Sequence, residues 1–198
     1  MRVKSNWFQS GRSKTPQEIA GAAASIVWRI ALNALNNMRR ADFDIAVGPQ
    51  YFEFLSEFLI FLVQVGDRIA YRHFSAEDRV AFTAALANRV GEILGDNREE
   101  YLDGTLPVHK ANFIARLNVR ADEYARYEYE KGSENFSFIR GLGLFMQDVM
   151  DERDRQWVVD QIMAVEAPGA IETLEKAMSG LLELEPRRPR GAGHGGGE

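Results

Sequence analysis

The sequence predicts an all-α fold, a bundle of about six or seven helices around one central apolar helix. Three observations predict it. Apolar residues recur three to four positions apart through most of the chain, helix-start signals precede those runs, and no stretch alternates apolar with polar residues as a half-buried strand would. The strongest element is the stretch 49–74. There Phe52, Phe54, Leu55, Phe58, Phe61, Leu62, Val65 and Ile69 go almost all the way round a helical projection, the pattern of a helix enclosed by protein. Pro49 suits the first helical turn, and Arg72 and His73 suit the negative end of the helix dipole. A membrane span needs roughly 20 predominantly apolar residues. The uninterrupted run here is only Phe58 to Val63, bounded by Glu57 and Gln64, so a buried helix and no transmembrane span is expected.

The other elements follow in order. Thr15, Pro16 and Glu18 form a capping box, and the helix after it should run to about Met38 with Ile19, Ala23, Ile26, Val27 and Ile30 as its apolar stripe. Its small residues from Ala20 to Ser25 would let another backbone approach closely. Ser75 starts a third helix, with Phe82, Leu86, Val90, Ile93 and Leu94 facing inward and Gly95 as its left-handed C-terminal residue. Asp103 to Pro107 is a break. A fourth helix, through Phe113, Ile114, Leu117, Ala121 and Tyr124, should end near Lys131 and Gly132. Ser133 can cap a fifth, with Phe138, Ile139, Leu142, Phe145, Met146 and Val149 buried. Asp151 can cap a sixth, carrying Trp157, Val158, Ile162 and Val165. Ala167, Pro168 and Gly169 should interrupt the pattern before a last helix through Ile171, Leu174, Met178, Leu181 and Leu182. Phe58, Phe61, Leu62, Val65, Ile139, Leu142 and Trp157 are the expected core.

Composition narrows function mainly by exclusion. The 198 residues contain no cysteine, which removes disulfides, thiolate metal sites and cysteine nucleophiles, and fits a cytoplasmic location. The net charge of −5 is uneven: residues 1–14 contribute +4 and residues 185–198 contribute +1, leaving −10 for the helical domain at 15–184. An acidic body argues against nucleic acid, whose binding depends on Lys and Arg meeting phosphates. The Arg/Gly-rich tail at 185–198 has no apolar face to bury and is expected to be disordered.

Short motifs add little. Gly141 and Gly143 lack the third glycine and the preceding strand of a dinucleotide loop, and read as points of close helix contact. His73, His109 and His194 are far apart, and none completes the Glu-x-x-His unit of a di-iron bundle. No metal site and no cofactor is therefore expected.

Two features carry chemical interest. Glu53, Glu57, Gln64, Asp67, Arg68 and Tyr71 lie within about 60° of one line down the central helix. Enclosed, this stripe would bind a small molecule or metal, or serve acid–base chemistry; facing water, it is the outer side of the helix with ion pairs at its edges. The solvated alternative is the expected one. Arg29, Arg116 and Arg120 are candidate counter-charges, and Glu57→Gln would then change stability by only about 0 to 1 kcal/mol. The second feature is Trp7 and Phe8 among Arg2, Lys4, Arg12 and Lys14, a candidate contact for a partner or, weakly, for an anionic membrane surface, although the expected arrangement has both aromatics packed back onto the body with the basic residues solvated. The leading expectation is a non-catalytic helical protein acting through a protein partner or as a homo-oligomer. A ligand-binding protein or enzyme using the stripe comes second, and a peripheral membrane adaptor third.

Overall fold

The computed structural model describes residues 14–182, and over them the chain is all-helical. The helices are α1 (Pro16–Arg40), α2 (Pro49–His73), α3 (Ala76–Glu99), α4 (Leu106–Tyr124), α5 (Phe136–Val149), α6 (Glu152–Gln161) and α7 (Ala167–Leu181). A π-helical turn (Ile162–Glu166) joins the last two. Trp7, Phe8, Arg12 and the Arg/Gly-rich tail lie outside the described residues, whereas Lys14 is within them and half-buried.

Helix α2 is the centre of the bundle, touching α1, α3, α4, α5 and α7. Its phenylalanines seed an aromatic core: Phe58 lies 5.8 Å from Phe54 and 6.0 Å from Phe61, and Phe61 lies 5.4 Å from Phe138 on α5. Such ring pairs add directional attraction to the gain from burying their large apolar area. The capping box of α1 forms, with Thr15 and Glu18 satisfying each other's backbone N–H groups, and Ala20, Ala23, Ala24 and Ala31 are buried. These small side chains permit the extensive contact between α1 and α3. By length and composition, α1 is the one described helix able to cross a membrane, and half of the apolar stretch concerned is buried against its neighbours.

Several boundaries differ from expectation, each for a local reason. Gly95 does not end α3, which continues to Glu99. A Cβ there would stand 3.1 Å from the Leu106 carbonyl oxygen, so the glycine admits the start of α4. Helix α4 ends at Tyr124, short of Lys131, and the chain beyond it brings Tyr127 and Tyr129 against the core. The residue that starts α5 is Asn135 rather than Ser133. It sits in the left-handed region at φ 47°, which asparagine tolerates, and its amide bonds the backbone of Glu130 and Ser133 at 2.8 to 3.0 Å. Asp151 precedes α6 without a side-chain capping bond.

Ala167, Pro168 and Gly169 do not interrupt the helix. The backbone stays right-handed from Gln161 through Ala167, and the π turn ends where Pro168 enters the first turn of α7. A proline inside a regular α-helix loses a hydrogen bond and crowds the carbonyl four residues back. The wider π turn accommodates both effects.

Of the expected core, Phe58, Phe61, Leu62, Val65, Ile139 and Leu142 are buried, but Trp157 is 60% exposed. The inward face of α6 is Asp154, Val158 and Ile162, spaced four apart, and Trp157 falls to its side. Asp154 is held inside because its carboxylate accepts the Asp44 N–H at 2.7 Å, fixing the connection between α1 and α2. Gly141 and Gly143 are close-contact positions, their missing Cβ atoms facing Tyr127 and Val159 at 3.0 and 3.1 Å.

Candidate functional site

The charged stripe of α2 lies against α3 and α4 instead of facing water along its length. Glu57 is only 3% exposed, and both its oxygens receive the Arg120 guanidinium at 3.0 Å, with Arg116 at 3.7 Å. Glu53, less buried, pairs with Arg116 and with Arg98 at 3.1 Å. The i,i+4 spacing of Glu53 and Glu57 thus meets the same spacing of Arg116 and Arg120 on α4. Asp67 accepts from Arg79 at 2.9 Å and from Thr83 at 2.8 Å, both on α3. Arg68 donates to the Tyr124 carbonyl at the end of α4. Gln64 is buried, and Tyr71 is exposed beneath the Arg79 guanidinium. Arg29 is exposed and joins none of these pairs.

The expectation of a solvated stripe is therefore corrected. Burying a carboxylate is expensive unless it is paired and hydrogen-bonded, and here arginines from two flanking helices supply the pairing. Arg120 also lies 3.7 Å above the Phe145 ring, which packs its planar face as well as its donors. The seam fastens α2 to α3 and α4, and its carboxylates are committed to those arginines. Among the described residues, no cluster of three or more His, Asp or Glu is placed to hold a metal ion.

Beside this seam, Tyr124 is fully buried and its hydroxyl has no hydrogen-bond partner among the described residues. Burial pushes its phenol well above the ordinary value, and the Glu57 carboxylate adds to the effect. Tyr129 is raised too, by burial and then by its 2.8 Å hydrogen bond to Glu175. Both folded-state pKa values lie above the unfolded value. The associated stability is complete below about pH 10 and is lost as pH rises beyond it. The urea midpoint should accordingly hold up to about pH 10 and fall progressively as pH rises above it. Tyr124→Phe should flatten that fall while leaving stability at pH 7 unchanged or raised, because an unpartnered buried hydroxyl is removed.

The accessible feature is a groove of about 700 Å³ where the start of α5 and the turn before it face the run from α6 into α7. Phe136, Ile139, Met163, Pro168 and Ile171 form its apolar floor. Phe136 is 62% exposed even though it begins a helix whose other aromatics are buried. Glu134, Asp160, Glu172 and Glu175 stand round the rim, with no Lys or Arg among the described lining residues. Glu134, Asp160 and Glu172 have no ion-pair partner among the described residues, and Glu175 accepts only the Tyr129 hydroxyl.

None of these groove residues was a sequence candidate. The two walls are separated along the chain, and their meeting depends on the π turn that carries α6 into α7. An unexplained apolar residue at Phe136 and the acids at 172 and 175, three apart, were the only local signals. Comparison with protein-family models, with curated proteins and with solved structures finds no match to this chain.

Proposed function

We propose that this chain is a non-catalytic interaction protein that holds a cationic amphipathic segment of a protein partner in the groove between α5 and α6–α7. The observation that carries this reading is an apolar floor framed by four carboxylates without a compensating cation among the described lining residues. Apolar floors of this kind take anchors spaced three to four residues apart on a docked helix. A single-sign rim selects Lys and Arg on that helix and disfavours acidic competitors. Exposed Phe136 offers an aromatic contact of the type enriched where partners meet. The stripe on α2 supports a ligand-binding or catalytic reading less well, since its carboxylates are engaged by Arg98, Arg116, Arg120 and Arg79.

A labelled amphipathic peptide of Leu and Lys, titrated with the full chain and followed by fluorescence anisotropy, tests the reading. Saturable binding that weakens with added salt is expected. Glu172→Lys, at an exposed position, should weaken it about tenfold, a change of about 1.4 kcal/mol. Equal binding of a Leu and Glu peptide, or no effect of Glu172→Lys, would count against the groove.

A further inference from the structure

We propose that a second pocket, where the π turn and the first turns of α7 meet α1, binds a primary alkylammonium group on the Glu166 carboxylate. The site rests on nothing in the groove and lies on the other side of α7: Glu166, Ala170 and Thr173 line the pocket, whereas Ile171, Glu172 and Glu175 line the groove. The carboxylate is what points to a cation. Three carboxylate side chains are buried among the described residues, Glu57, Asp154 and Glu166, at 3 to 5% exposure. Glu57 is paired with Arg120, and Asp154 stands 3.6 Å from Arg153. Glu166 has no ion-pair partner among the described residues, and its two oxygens accept only the neutral amides of Asn37 and Gln161, each at 3.1 Å. Arg40 donates to the Asn37 side-chain carbonyl at 3.4 Å instead of to the carboxylate. A buried charge is costly until it is paired as well as hydrogen-bonded.

The pocket supplies what such a group requires. An ammonium offers three N–H donors. The Glu166 oxygens keep lone pairs that the amides leave free, and the Asn33 side chain makes no hydrogen bond among the described residues. The Thr173 hydroxyl gives its proton to the Gly169 carbonyl at 2.7 Å and keeps its own lone pairs for a further donor. The rest of the lining is largely apolar, with Ile30, Ala34 and Ala170 buried and Val165 exposed. These side chains suit an alkyl stem and supply none of the oxygen ligands that a hard metal ion needs. At about 250 Å³ the space is just below the range of about 300 to 1,000 Å³ for drug-sized ligands, so it takes a short amine and not a docked helix. Helical interruptions of the π type are frequent at functional sites, and this one ends on Glu166 itself.

Titration of the full chain with n-butylamine at about pH 7, where the amine is charged, tests the proposal through the side-chain amide NMR signals of Asn37 and Gln161. Saturable shifts of both amides are expected from butylamine and none from n-butanol, which has the same stem without the charge. Glu166→Gln should weaken butylamine binding about tenfold or more. Gly169→Leu should do the same by occupying the pocket, since a Cβ at this lining position meets nothing within 4 Å and the helix is not strained. Thermal melts followed by circular dichroism check that both variants are folded. Glu172→Lys, which alters the groove, should leave butylamine binding within about twofold. Nα-acetyl-lysine methylamide, titrated alongside, identifies the source: shifts like those of butylamine assign the group to a lysine side chain, and shifts from butylamine alone assign it to a free amine. The proposal is overturned if butanol shifts the amides as far as butylamine does, or if Glu172→Lys abolishes binding. Butylamine binding that survives both Glu166→Gln and Gly169→Leu would overturn it too, as would the absence of any saturable shift.

Discussion

Phe58→Ala is expected to lower the free energy of unfolding by about 3 to 5 kcal/mol, measured as a fall in urea midpoint without a change in slope. The side chain is fully buried on the central helix and lies between Phe54 and Phe61, so truncation removes transfer energy and contacts with both rings. The surroundings are poorly placed to close the void. Leu55, Leu59 and Leu62 are themselves fully buried on α2, a helix that several others hold in place. A loss below about 1 kcal/mol would mean that the site collapses freely or that α2 is not the centre of the bundle.

Glu57→Ala is expected to cost about 3 kcal/mol, the range for breaking a buried pair and leaving its partner uncompensated. Arg120 would remain packed on Phe145 with only its 3.4 Å contact to Glu123, and Arg116 would keep only Glu53. Glu57→Leu combined with Arg120→Met should cost less than the two single changes together, because both charges leave the interior at once. A cycle in which the single changes each cost under about 1 kcal/mol would place the pair in the exposed class.

Much of the fold was legible in the sequence because its signals are local. Thr15 and Glu18 cap α1 within one turn, Ser75 starts α3, and the apolar circumference of α2 marks its enclosure by other helices. The misplacements occur where a distant residue decides the local conformation. Gly95 looked like a terminus but makes room for Leu106, and Pro168 looked like a break but follows a π turn that absorbs it. Trp157 looked like core from its size and spacing, yet the buried Asp154 fixes the orientation of α6 and turns the indole outward.

The candidate site was less legible for the same reason. A charged stripe on one helix has the same periodicity whether water or arginines cover it, and the choice depends on where α3 and α4 lie. Arg116 and Arg120 were visible as candidate partners, whereas Arg98 and Arg79 were not singled out. The groove exists only after residues 132–139 meet residues 160–175, so no stretch of sequence contains it.

On the proposed reading, the groove between α5 and α6–α7, and not the stripe on α2, is where this protein meets its partner. Methyl NMR of the full chain, titrated with the Leu and Lys peptide, tests that claim directly. Shifts are expected to concentrate at Ile139, Met163 and Ile171, with Ile60 on the stripe face of α2 and Leu117 between Arg116 and Arg120 unmoved. Shifts centred on that seam, or none at saturating peptide, would contradict it.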